Sequence, residues 1–193
     1  MRPSAKELLE IARRYWRDDD LYSVRPEPSP ESLRYEALWD EKNKDGPRWG
    51  ALLKALRKSL PDCDVWDYTP PTANPSFGAL VYPPRDVIAH RPQTAWTVAG
   101  YLSILAPVYT VHSIRRVFLG KQLMDSKVFL GPIPLELRSI ADTVAQRIEA
   151  DYGATPLPLD VAQAPVPLYV NFMKPPRTTL FHALFTSEPW NIP

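Results

Sequence analysis

The sequence predicts a single α+β domain: helices first, then a mainly antiparallel sheet centred on residues 94–114, with helices packed on it. Three observations carry this reading. Residues 94–114 (TAWTVAGYLSILAPVYTVHSI) contain no Asp, Glu, Lys or Arg and are rich in the β-branched and aromatic residues that suit a pleated, buried surface. Residues 1–60 and 134–152 instead repeat apolar residues at i, i+3 and i+4, the period of an amphipathic helix. The two patterns come in blocks, not in the βαβα alternation of a parallel sheet. At 193 residues the chain favours one domain, helical over 1–60 and sheet-rich over 61–193.

Ser4 and Glu7 fit a capping box at the start of the first helix. Leu8, Leu9, Ile11, Ala12, Tyr15 and Trp16 form its apolar stripe. The run Asp18, Asp19, Asp20 places the helix end near Arg17, because negative charge is unfavourable at a helix C-terminus. Those aspartates are a solvated exit loop, an acidic contact patch or a cation site. Ser29-Pro30 supplies an N-cap and a first-turn proline for a second helix over 30–44, with Leu33, Ala37 and Leu38 inward. Asp45-Gly46-Pro47 is a break and restart. Trp49, Leu52, Leu53, Leu56 and Leu60 then mark the inner face of a third helix, which ends before Pro61.

Cys63, Val65 and Asp67 alternate with Asp64, Trp66 and Tyr68, giving a short strand before Pro70-Pro71. Residues 77–82 form another, stopped by Pro83-Pro84; prolines at both ends suit edge or hairpin positions. In the central stretch Trp96, Val98, Gly100, Leu102 and Ile104 share one face, and Ala95, Thr97, Ala99, Tyr101 and Ser103 the other. Residues 108–114 continue as the neighbouring strand, with Ala106-Pro107 as a reversal or a kink, and Arg115-Arg116 marks the return to solvent. Gly131-Pro132-Ile133-Pro134 introduces the best helix, with Leu137, Ile140, Ala141, Val144, Ala145, Ile148 and Tyr152 on one face and Gly153 as its C′ residue. Residues 168–173 read as a strand, residues 178–185 fit either period, and residues 187–193 are expected on the surface.

Charge and composition exclude several classes. With 23 basic and 22 acidic residues the net charge is +1, which argues against a broad nucleic-acid footprint. No apolar run approaches the roughly 18 residues of a membrane span, and the amphipathic, charged N-terminus lacks a secretory h-region. The expectation is a soluble, cytoplasmic protein with neither nucleic acid nor membrane as partner. The 23 prolines against 7 glycines read as rigid turns between real elements. Cys63 is the single cysteine. Its neighbours Asp62 and Asp64 raise a thiol pKa, so it reads as a reduced thiol and not as a nucleophile.

No glycine-rich phosphate loop, nucleophile elbow, C-x-x-C or H-E-x-x-H occurs, so no cofactor is expected. Asp62, Asp64 and Asp67 lack the glycine and the twelfth-position Glu of a calcium loop, so no metal is expected either. His90, His112 and His182 are far apart in sequence. His112 with Arg115 and Arg116 is the most plausible polar group for catalysis, and would need an orienting carboxylate and a cleft; otherwise His112 is a histidine held in a strand. Most of the six tryptophans and nine tyrosines belong to the core. Trp66, Tyr68 and Trp190 lie in proline-rich segments that would hold them near the surface, where Trp and Tyr serve as binding anchors.

In its size, α+β pattern, absent catalytic signature, proline-stiffened loops and acidic and aromatic segments, the whole chain resembles the immunity proteins of bacterial polymorphic-toxin systems. That resemblance implies a non-catalytic cytoplasmic protein that binds a cognate protein toxin and neutralises it. Asp18, Asp19, Asp20, Asp64, Trp66, Tyr68 and Trp190 are then the contact candidates. The alternatives are a small enzyme built around His112, Arg115 and Arg116, and a structural subunit of a larger assembly.

Overall fold

The computed structural model describes residues 3–19, 28–69, 73–84, 91–171 and 173–187. Asp20, His90 and Trp190 lie outside them. Helices α1 (Ala5–Ala12), α2 (Pro30–Lys42) and α3 (Gly46–Ser59) come first. Strands β1 (Asp64–Asp67), β2 (Ser76–Tyr82), β3 (Pro92–Ser103), β4 (Val108–Leu119) and β5 (Gln122–Phe129) follow. The chain then forms α4 (Arg138–Tyr152), the two-residue strand β6 (Thr155–Pro156), and the short helices α5 (Leu159–Ala162) and α6 (Leu180–Leu184). The sheet runs in the order β1-β2-β3-β4-β5 with antiparallel neighbours throughout, and β6 adds a short parallel pairing to the start of β4. The fold is α+β.

The centre of the sheet is the hairpin of β3 and β4, paired from Pro92↔Leu119 to Leu102↔Tyr109. Residues 104–107 reverse the chain, which settles the reading of Ala106-Pro107. Strand alternation divides the side chains as the sequence predicts. Val98, Gly100 and Leu102 face α4, whose Val144 and Ile148 occupy the space above Gly100. Phe77 of β2 is on the same face, stacked on Trp49 of α3 at 5.4 Å and meeting the edge of Trp39 of α2 at 5.7 Å. Tyr101 points the other way, where its ring stacks on His112 at 5.4 Å. Phe181 of α6 closes over His112 at 5.5 Å. The end of the α1 segment clamps α6 through a hydrogen bond of 2.8 Å from Trp16 Nε1 to the Ala183 carbonyl. The buried apolar side chains among these belong to one core.

Several expectations are corrected. The first helix stops at Ala12, short of Arg17; the chain turns so that Trp16 reaches Ala183 and the Arg17 carbonyl accepts the Tyr169 N–H. In α2, Leu33 is 53 % exposed while Tyr35 and Trp39 are buried. Helix α2 rotates to bury its large aromatics, Tyr35 against Trp16 at 4.9 Å and Trp39 against Phe77. Arg115 and Arg116 do not mark an exit: β4 continues to Leu119 and a turn at Gly120 (φ 57°) leads into β5. Residues 168–173 make isolated bridges (Arg17↔Tyr169, Val170↔Met173) where a strand was expected, and residues 178–185 resolve to the helix α6. Ser187 is buried, not on the surface. The capping box of Ser4 and Glu7, the start of α2 at Pro30 and the left-handed Gly153 after α4 are all present.

Candidate functional site

The second face of the sheet is only half covered. Its lower part, around Tyr101 and His112, lies beneath α6. Its upper part carries Trp66 of β1, Leu80 and Tyr82 of β2, Arg116 of β4 and Ser126 of β5, all on one side by the pairing register. Trp66 is 62 % exposed, an unusual position for the largest apolar side chain in a protein that buries most of its others. Its ring meets that of Tyr82 edge-on at 6.2 Å.

Two cavities open here. One, of about 370 Å³, is lined by Trp66, Asp67, Tyr68, Leu80, Tyr82, Arg116, Leu123 and Ser126. The other, of about 760 Å³, shares Trp66, Tyr82 and Arg116 and continues around the end of the strands to Cys63, Asp64, Trp96, Phe118 and Glu136. This passage exists because the last β2 pairing to β3 is Val81↔Val98, so β3 extends beyond its neighbour over residues 92–97. Pro83-Pro84 follow the last residue of β2 and cannot donate to the ladder.

Arg116 is held in place. Its Nη1 donates to Thr97 Oγ1 at 3.0 Å, and its guanidinium stands 5.8 Å from the centre of the Tyr82 ring. Asp67 accepts from Trp49 Nε1 at 3.2 Å, which ties β1 to α3. Cys63 is half-buried and unbonded to any other cysteine; burial pushes its thiol pKa up, and Asp62 and Asp64 add to the rise. That thiol is protonated at neutral pH and is a poor nucleophile.

The structure brings together Asp64, Trp66 and Tyr68 from the contact candidates, and joins Arg116 to them. It does not assemble His112, Arg115 and Arg116 into one group. His112 is fully buried between Tyr101 and Phe181, neither ring nitrogen has a hydrogen-bond partner among the described residues, and burial pushes its pKa down to about 3. Arg115 points to the opposite face, paired with Asp125 at 3.1 Å and lying over the Phe129 ring. Asp19 is tied to Arg17 and Asp18 is exposed. Neither lines either of these two cavities, so Asp18 and Asp19 are not part of this surface.

Sequence reasoning missed Tyr82, Trp96, Phe118, Ser126 and Glu136. The signal for Tyr82 is its place just before Pro83-Pro84. For Phe118 and Ser126 the signal is the alternation of residues 115–129, legible once β4 is carried past Ile114. Among the described residues no helix is long and apolar enough to cross a membrane. No family model, no curated protein and no solved structure matches this chain.

Proposed function

We propose that this protein is a non-catalytic binding module whose docking surface is the open half of the sheet, between Trp66, Tyr82 and Arg116. The observation that supports this most is Trp66: a tryptophan left 62 % exposed beside a fixed arginine and a tyrosine, the three residue types enriched at binding hot spots. The surface is preformed. It stands on paired strands, and its arginine is already fixed by Thr97 and Tyr82, so little ordering remains to oppose association. The resemblance to immunity proteins fits the same reading: a cytoplasmic protein that caps a cognate toxin by surface complementarity. The central histidine does not support an enzyme, because it is sealed in the core and neither ring nitrogen has a hydrogen-bond partner among the described residues.

The test is affinity capture at near-native expression with the wild-type chain and with Trp66→Ala as parallel baits. The wild type is expected to retain a specific protein partner. Trp66→Ala is expected to bind it on the order of thirtyfold more weakly, the effect of losing a hot spot of about 2 kcal/mol. Because Trp66 is exposed, its thermal midpoint should stay within about 2 °C of the wild type, as for other surface substitutions. A partner held equally by both baits rejects this surface.

A further inference from the structure

We infer that the larger cavity accepts a cationic group, an arginine or lysine side chain presented by the protein partner. This rests on the docking surface proposed above and goes beyond it by naming the chemistry of what enters. The cavity measures about 760 Å³, within the range of roughly 300–1,000 Å³ typical of ligand sites. Its walls are aromatic, with Trp66, Trp96 and Tyr82 among them, and a cation gains from the face of such rings, most of all from tryptophan.

Charge decides the sign of the guest. Among the described residues, Asp62, Asp64 and Glu136 line the cavity against one cation, Arg116. Arg116 is committed to Thr97 and the Tyr82 ring. None of the three carboxylates makes an ion pair or a hydrogen bond among the described residues. In a chain whose total charge is +1, the described lining of this cavity is therefore locally net negative, with unused acceptors. The field of Asp62 and Asp64 is also felt at Cys63 on the wall, where it adds to the burial that holds the thiol protonated. A guanidinium offers both what the carboxylates lack and what the rings attract: fork-shaped donors and a flat, weakly hydrated cation.

The test uses the full chain labelled with ¹⁵N and three capped tripeptides: acetyl-Gly-Arg-Gly-amide, the same peptide with citrulline, and the same peptide with aspartate. Citrulline keeps the shape and removes the charge. The arginine peptide is expected to shift the indole N–H resonances of Trp66 and Trp96 saturably, with a Kd on the order of millimolar for a single anchor. The citrulline and aspartate peptides should leave them unmoved. Asp64→Asn combined with Glu136→Gln should weaken arginine binding on the order of tenfold and steepen nothing in the denaturation curve, since both side chains are exposed. Equal shifts with citrulline, a preference for aspartate, or full binding by the double variant each overturn the inference. Failure of the docking surface looks different. If the arginine peptide binds but the captured partner ignores Trp66→Ala, the docking surface falls and the cation site stands. If the partner depends on Trp66 but the arginine peptide has no effect, the cation site falls and the docking surface stands.

Discussion

Gly78→Ala is expected to lower the urea midpoint markedly, with a loss of about 3 kcal/mol, at the upper end of the usual overpacking range. A Cβ at this position would lie 2.2 Å from the Tyr68 carbonyl oxygen and 2.8 Å from Cε1 of Tyr101. A backbone oxygen cannot rotate out of the way. Tyr68 is also pinned from both sides: its N–H donates to the Gly78 carbonyl at 2.7 Å, and the Gly78 N–H donates to Thr69 Oγ1 at 3.0 Å. The added methyl must therefore push β1 and the segment after it away from β2. Gly100 offers the internal comparison. There the nearest atom is Cγ1 of Val144 at 2.6 Å, the end of a side chain and not a backbone oxygen, so Gly100→Ala should cost less, about 1 kcal/mol. Equal midpoints for the two variants would refute the argument. Since Tyr68 lines the smaller cavity, Gly78→Ala should also weaken partner capture in proportion to the displaced wall.

Acid should destabilise the fold well above the range where carboxylates titrate. His112 is neutral in the folded chain, with burial holding its pKa near 3 against an ordinary value of 6.5. The unfolded chain takes up a proton at this residue as the pH falls below 6.5, and the folded chain does not. The stability due to neutral His112 is thus complete above pH 6.5 and lost as the pH falls towards 3. Between pH 6.5 and pH 5 this amounts to about 2 kcal/mol, at ~1.4 kcal/mol per pH unit. His182 acts in the same direction: burial lowers its pKa to about 4, and its Nδ1 accepts the Thr179 N–H at 2.9 Å, a bond that the protonated ring cannot accept. His112→Phe should roughly halve the slope of stability against pH in this window, because the groups facing it, Tyr101 and Phe181, carry no charge. Denaturant midpoints measured from pH 5 to pH 7.5 check both statements. A flat wild-type curve would mean that His112 is reached by solvent.

The strand over residues 97–103 was legible because it is buried on both faces, so it reads as an uncharged run of apolar and β-forming residues. The face of α3 and the caps of α1, α2 and α4 were legible because they depend on local rules that the chain cannot easily override. The face of α2 was not. Leu33 and Ala37 satisfy the helical period as well as Tyr35 and Trp39 do, and only the position of Phe77 and Trp16 decides which pair goes inside. Strand β5 was hidden because its outer half is exposed and polar, so QLMDSKVF reads as a loop until β4 is known to run beside it. For the site, Asp64, Trp66 and Tyr68 were visible as an aromatic-acidic segment. Their partners on β2, β3, β4 and β5 were not, since register between strands far apart in sequence is a tertiary property. His112 read either as a catalytic group or as a histidine held in a strand, and its burial under Phe181 could not be read from neighbours in the sequence.

The hydrogen bond between Trp16 and Ala183 joins residues 167 positions apart, and it has a consequence for biosynthesis. The lower face of the sheet, with Tyr101 and His112, is covered by α6, whose Phe181 packs on His112 and on Phe185. During translation every strand emerges before the segment that covers them, so the sheet waits on the ribosome with one apolar side uncovered. Such an intermediate is open to aggregation or to holding by a chaperone. Arrival of α6, not formation of the sheet, is then the step at which this face of the nascent chain is covered.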